Sequence, residues 1–176
     1  MPVPKSYFRG VESEHKTIRN AAGLTDMSGI KKIWLKGEGA LEVIDFLITR
    51  DCNKIEPGSA AYTALLDENG NLVDDAIVFR LSPLECEKFD ASWLICFGAG
   101  FGVDYLTKSL QDSKVVARAD DNTVCLMLQG PYAETVMKRV VKGGLTKNLG
   151  RFDHGLFSIL DSDVMLSLIH ISEPTR

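Results

Sequence analysis

The sequence predicts an α+β fold, with hairpins and isolated helices mixed along one chain rather than a repeated strand–helix–strand unit. Three observations predict it. An Asn69-Gly70 pair sits at the centre of AAYTALLDENGNLVDDAIVFRL (60–81), the strongest short-range hairpin signal. Short apolar runs bounded by turn residues recur at 91–97, 124–131 and 155–165. Separate stretches, such as 38–50, place apolar residues at helical spacing.

The elements follow in order. SEHKTIRNAAG (13–23) reads as a helix with Ser13 as N-cap, Glu14 in the first turn and Gly23 at the end. KKIWLKG (31–37) is a strand closed by a glycine. In EGALEVIDFLITR (38–50), Leu41, Ile44, Phe46, Leu47 and Ile48 mark a helix. The 60–81 hairpin comes next, then a buried strand at ASWLICF (91–97), a short helix at VDYLTKSLQ (103–111) and a strand at KVVARA (114–119). VCLMLQGP (124–131) is a strand running into a turn, and YAETVMKRVV (132–141) is the helix behind it. GLFSILDSDVM (155–165) opens a further hairpin.

The chain has 176 residues, enough for one domain or one and a fraction, and enough to bury a core. Its 45% hydrophobic and 25% charged content is that of an ordinary globular protein. A net charge of −4 gives no reason to expect nucleic acid or membrane as a partner. No apolar run is long enough for a bilayer, and MPVPKSYFRG carries no secretory apolar core. Cys52, Cys86, Cys96 and Cys125 show no C-x-x-C spacing, which favours reduced thiols. The expected location is cytoplasmic, or a mitochondrial matrix in a eukaryote. Two histidines outside the C-terminal stretch (His15, beside charged neighbours, and His154, read as a turn residue) make no metal-ligand pattern with scattered cysteines, so no metal is expected. Ser28 lacks a paired base, and Trp34 and Trp93 are most simply core.

The last eleven residues, LSLIHISEPTR (166–176), look like an in-frame translation of a transposon-end sequencing adapter. They are set aside as non-native, His170, Glu173 and Arg176 with them, and the natural chain is expected to continue past about residue 165.

The hairpin raises the sharpest question, because Asp74 and Asp75 interrupt an apolar strand. A two-residue Asn69-Gly70 loop pairs Glu68 with Asn71, Leu66 with Val73, Ala64 with Asp75 and Tyr62 with Ile77. Successive side chains alternate between faces. Asp75 then shares a face with Val73, Ile77 and Phe79, and Asp74 shares one with Leu72, Ala76 and Val78. The first set is bulkier, so Asp75 is the expected buried carboxylate, with Tyr62 diagonal to it and Asp74 a bystander. A carboxylate, a phenol and an aromatic ring on one patch suit a flat heterocycle bearing N–H groups. The plainer role, Asp75 capping a helix or pairing with an arginine, is favoured by pattern alone, since structural ion pairs outnumber catalytic ones. A bulge near the turn would shift the register and exchange the two aspartates.

A rival motif is WLICFGAGFGVDYL (93–106), a strand, three glycines and a helix, with Asp120 and Asp121 ending the next strand as ribose-binding acids do. The last glycine of a G-x-G-x-x-G would fall at Val103, so a dinucleotide site is the weaker reading, and a Gly-rich bend in close backbone contact is the stronger.

Three blocks then carry a resemblance: EHKTIRNAAGLTDMSGIKKIWLKGEGA, FLITRDCNKIEPGSAAYTALLDENGNLVDDAIVF and LMLQGPYA, in order and at matching intervals. Together they resemble the tetrahydrofolate-dependent aminomethyltransferase family, the T-protein of the glycine cleavage system and its relatives, from residue 14 to about 165. The resemblance implies a folate-binding aminomethyltransferase fold of three domains around a folate channel. Residues 1–30 and 120–165 would be part of a split first domain, 31–119 an inserted second α+β domain, and the remainder, including a C-terminal β-barrel, would be missing. Asp75 matches the family's catalytic aspartate and Tyr62 its folate-contacting tyrosine; Phe79 stands where the family has a further tyrosine, and Gly98 where it has a polar asparagine. The implied cofactor is tetrahydrofolate, held by Tyr62, Asp75 and Phe79, with Asp75 orienting a pterin nitrogen and taking its proton. The implied partner is a one-carbon donor, either an aminomethyl group on a lipoyl arm or an N-methyl amine of the demethylase type. The truncated chain would be inactive alone. Two alternatives stay open: a non-catalytic folate-binding protein of the iron–sulfur assembly type, and a dinucleotide-binding oxidoreductase.

Overall fold

The structure, a computed structural model, describes residues 8–142 and 149–169, so His170, Glu173 and Arg176 lie outside the described residues. The elements are α1 (Val11–Asn20), β1 (Gly23–Asp26), β2 (Lys31–Lys36), α2 (Ala40–Leu47), a 3-10 turn at Cys52–Lys54, β3 (Ser59–Leu66), β4 (Leu72–Arg80), α3 (Pro83–Phe89), β5 (Trp93–Phe97), α4 (Gly102–Ser109), β6 (Val116–Ala119), β7 (Leu126–Gln129), α5 (Ala133–Val140), β8 (His154–Ile159) and β9 (Ser162–Ser167). The α+β expectation holds: the main sheet is antiparallel throughout, in the order β3-β4-β5-β2-β6. Two ribbons stand beside it, β1 with β7 and β8 with β9, both antiparallel.

Period-two alternation gives the central strands two buried faces. On one, Ile33, Leu35, Ala76, Val78, Ile95 and Phe97 meet Ile44 and Leu47 of α2 and Leu106 of α4. On the other, Trp34, Phe79, Leu81 and Leu94 meet Phe89 of α3, Phe152 just before β8, and Met165 of β9. Trp34 and Trp93 are core, as expected. By contrast α1 and α5 bury no residue fully, and β1 and β7 are at most half-buried.

Several boundaries differ from expectation. The first helix starts after Gly10, at φ +75°, not at Ser13, and Gly23 lies in β1 rather than closing the helix. The helix α3 and the strand β1 were not anticipated. Yet α3 carries a legible start: Pro83 at the first position, with Ser82 N and Oγ donating to Glu85 Oε2 at 2.8 and 2.7 Å.

The hairpin turn is also longer than two residues. Asp67 N donates to Asn71 O, Asp67 Oδ1 accepts from Asn69 N and Asn71 N, and Gly70 takes φ +82°, leaving 68–70 as the loop. Leu66 therefore faces Leu72 rather than Val73, and Glu68 does not pair with Asn71. Val73 is then an extra residue in β4, and from Leu65↔Asp74 onward the pairing is the expected one, with Ala64↔Asp75 and Tyr62↔Ile77. The longer loop and the bulge cancel. β9 continues through Leu166 and Ser167, pairing them with Gly155 and His154. Such pairing uses the backbone and is open to any side chains there.

Candidate functional site

The expected burial of the doublet is reversed. Asp74, not Asp75, is the buried carboxylate, at 4% exposure. The reason is the cover, not the apolar bulk of the strand. The Asp74 face lies under α2 and α4, and its small Ala76 lets α4 come close. The opposite face is covered at the Phe79 end by α3 and the β8–β9 segment, and Asp75 lies away from that cover.

Asp74 keeps its charge because backbone amides surround it. Its Oδ1 accepts from Ala99 N and from Asp75 N, and its Oδ2 from Gly102 N, each at 2.9 Å. Burial pushes this carboxyl up, but the amide hydrogen bonds outweigh it and hold the group below its ordinary range. Asp74 thus fastens the GAGFG loop (98–102) to β4 and occupies the N-terminus of α4. The capping role weighed for Asp75 belongs to its neighbour, which is no bystander. The dinucleotide reading fails at the same point: two amides that would face a pyrophosphate already hold a carboxylate, and the sheet is antiparallel. Asp120 is likewise engaged, by Trp34 Nε1 at 2.8 Å and by Asn122 and Thr123 of its own turn, which hold its carboxyl low against the pull of burial.

Asp75 lies on the open side and meets Tyr62, whose hydroxyl donates to Oδ2 at 2.7 Å. The hydrogen bond to this carboxylate pushes the Tyr62 phenol up from its usual value. Tyr62 is 50% exposed. Among the described residues, Asp75 Oδ1 accepts no hydrogen bond, so it has a free acceptor position beside an accessible phenol. Gly98 N donates to Asp75 O at 2.8 Å, which carries the glycine loop up against this residue.

The structure brings Tyr62 and Asp75 together but not Phe79. That ring lies four residues along β4, about 13 Å at the usual strand rise. It is 5% exposed and packs edge-on to His154, with ring centroids 5.4 Å apart. His154 is the residue sequence reasoning missed: expected in a turn, it is 1% exposed at the start of β8. Its Nδ1 lies 2.8 Å from Glu85 Oε1, and its Nε2 lies 3.2 and 3.1 Å from the carbonyls of Ser59 and Arg80. Both ring nitrogens face oxygen acceptors. Burial pushes Glu85 up, but His154 and Ser82 outweigh it and hold the carboxyl below its usual value. His154 gave no signal because its partner is 69 residues away in sequence.

Burial pushes the thiols of Cys52 and Cys96 up to about 12, which makes them poor nucleophiles. Among the described residues no group of His, Cys, Asp and Glu is placed to hold a metal, and no helix is long and apolar enough to cross a membrane. A cleft of about 360 Å³ opens beside Arg80, Leu81 and Trp93, at the far end of β4 from Asp75, and holds neither member of the Tyr62–Asp75 pair.

Known proteins resemble this chain over most of its length. The family model described as GCVT N-terminal domain matches residues 1–156. A heme-dependent oxidative N-demethylase gamma subunit from Ectopseudomonas mendocina is 36% identical over 162 residues, 92% of this chain and 41% of that protein. An aminomethyltransferase from Chlorobaculum parvum is 36% identical over 157 residues, 84% of this chain and 39% of that one. Among solved structures, the glycine cleavage system aminomethyltransferase T from Bartonella henselae aligns with a TM-score of 0.71 at 28% identity, covering 85% of this chain and 39% of that chain. The chain thus spans about two fifths of the length of these relatives.

Proposed function

This chain belongs to the GCVT N-terminal domain family, and on that premise we propose that it forms the acceptor side of a tetrahydrofolate-dependent one-carbon transferase, with Asp75 as its catalytic carboxylate. One observation carries the reading: a carboxylate with a free Oδ1, fixed through Oδ2 by an accessible phenol. Those two groups fit tetrahydrofolate, whose pterin ring offers N–H donors and a flat face. When bound, the cofactor supplies the nitrogen that receives the one-carbon unit.

The protein's own residues do the rest. Asp75 accepts an N–H through Oδ1, which orients the ring edge, and takes the proton released as the nitrogen gains its new substituent. Its negative charge, held in place beforehand, opposes the positive charge that builds on that nitrogen. Tyr62 holds Oδ2 and leaves Oδ1, which lies over Gly98, as the unbonded acceptor, and its ring offers a stacking surface. Phe79 enters as support, holding the far end of the same sheet face against His154. The donor is an aminomethyl group on a lipoyl arm or an N-methyl amine; relatives of both descriptions, aminomethyltransferases and an N-demethylase subunit, match at similar identity.

The pairing of β1 with β7 around the 31–119 sheet supports the domain reading, a first domain contributed by residues 1–30 and 120–165 with the second inserted between. The test is Asp75→Asn in the protein that carries this chain. Turnover falls by about 10²–10⁴, the usual worth of a positioned general base, while tetrahydrofolate binding by calorimetry is largely retained. Unchanged turnover overturns the assignment.

A further inference from the structure

The Asp75 carboxylate rests where a side chain at position 98 would begin. A Cβ built on Gly98 meets Asp75 Oδ1 at 2.0 Å, Cγ at 2.9 Å and Oδ2 at 3.3 Å, and those are its three nearest atoms. Gly98 does not lie in the left-handed region, so its backbone tolerates alanine, and the atoms that crowd a side chain there most closely are those of the carboxylate. The loop cannot retreat to share the space. Gly98 N is bonded to Asp75 O, and Ala99 N and Gly102 N are bonded to the buried Asp74. Residue 98 and the Asp75 carboxylate therefore compete for one volume above a fixed floor.

We infer that Gly98 is a positioning residue: by lacking a side chain it lets the Asp75 carboxylate fold down onto the 98–102 loop, within reach of the Tyr62 hydroxyl, and so sets where the acceptor oxygen stands. The inference deepens the proposed function and rests on it for its catalytic meaning, though not for its geometry. A larger residue at 98 lifts the carboxylate off the loop, breaks the bond to Tyr62 and moves the acceptor out of its fixed position. In this chain the acceptor stays low, and the space above it is larger by one side chain, which suits a donor with a substituted nitrogen better than a tighter site would.

The experiment is Gly98→Ala, read first without any ligand. Tyrosine ring-labelled protein is titrated by NMR, with Tyr62→Phe to assign the Tyr62 resonance and Asp75→Asn as the reference for a lost carboxylate. Gly98→Ala lowers the Tyr62 midpoint toward that of Asp75→Asn. An unchanged midpoint overturns the inference. If Gly98→Ala folds too poorly for titration, the double variant Gly98→Ala with Asp75→Ala decides by denaturation midpoint. The cost of alanine at 98 disappears when the carboxylate is gone, and a cost that persists overturns the inference. A second arm uses the whole protein that carries this chain: Gly98→Ala lowers kcat at least tenfold with little change in KM for tetrahydrofolate. A protein that binds no tetrahydrofolate sinks the proposed function, while the Tyr62 titration still decides the role of Gly98.

Discussion

The two ends of the β3–β4 ladder each bury a carboxylate, and they use it differently. At the turn end Asp74 is held by backbone amides from a loop 25 to 28 residues away, and its neighbour Asp75 is left open. At the other end Glu85 is held by an imidazole 69 residues away and by Ser82, with both of its oxygens engaged. The first arrangement shapes a surface; the second joins segments. The proposed function sits where a second carboxylate is spared from packing, and stability sits where both partners are spent on each other.

Glu85→Ala is the strongest way to break that comparison. It leaves the buried His154 ring without its carboxylate partner, and loss of one partner of a buried pair costs about 3–5 kcal/mol. The loss falls on the attachment of β8, since His154 also bridges to Ser59 and Arg80. Urea denaturation measures the cost, and hydrogen exchange shows whether the β8 amides open first. A cost below about 1 kcal/mol, inside the range of an exposed pair, would mean that this end does not fasten the ribbon.

Asp74→Asn comes next. An asparagine accepts through one atom only, so one of the amides of Ala99 and Gly102 loses its partner, at about 1–3 kcal/mol. The pH dependence has a definite sign. The folded Asp74 pKa lies below the ordinary value of about 3.9, so its contribution is present above that value and is lost as pH falls through the folded pKa. Asp74→Asn removes this acid limb, and stability below about pH 4 falls less steeply in the variant. An unchanged acid limb would show that the amides hold no charge there.

How much of this was legible follows the range of the interaction. The hairpin, the antiparallel class and the pairing of Ala64 with Asp75 came from local pattern, and survived because a three-residue loop and the Val73 bulge offset one another. Tyr62 beside Asp75 came from the same alternation. Which aspartate is buried did not, because burial depends on α4 crossing one face, and the bulk of Val73, Ile77 and Phe79 says nothing of that. The start of α3 was written locally, in Ser82, Pro83 and Glu85, and went unread. His154 had no local signal at all: its partners lie on β3, β4 and α3.

The smallest effect on stability is expected from Asp75→Asn, and that is what sharpens the contrast. Asp75 holds no buried group, and substitutions outside packed or fastening positions move stability by less than about 0.5 kcal/mol. The change appears instead at Tyr62. Its phenol is raised by the Asp75 carboxylate, so the stability their bond contributes is present below the ordinary tyrosine value of about 10 and is lost as pH rises through the raised folded value. Asp75→Asn removes the charge and brings the Tyr62 midpoint down, with the denaturation midpoint at neutral pH almost unmoved. Adjacent aspartates would then separate cleanly, Asp74→Asn costing stability and Asp75→Asn costing the environment of Tyr62. A large stability loss in Asp75→Asn would erase that separation and make both carboxylates structural.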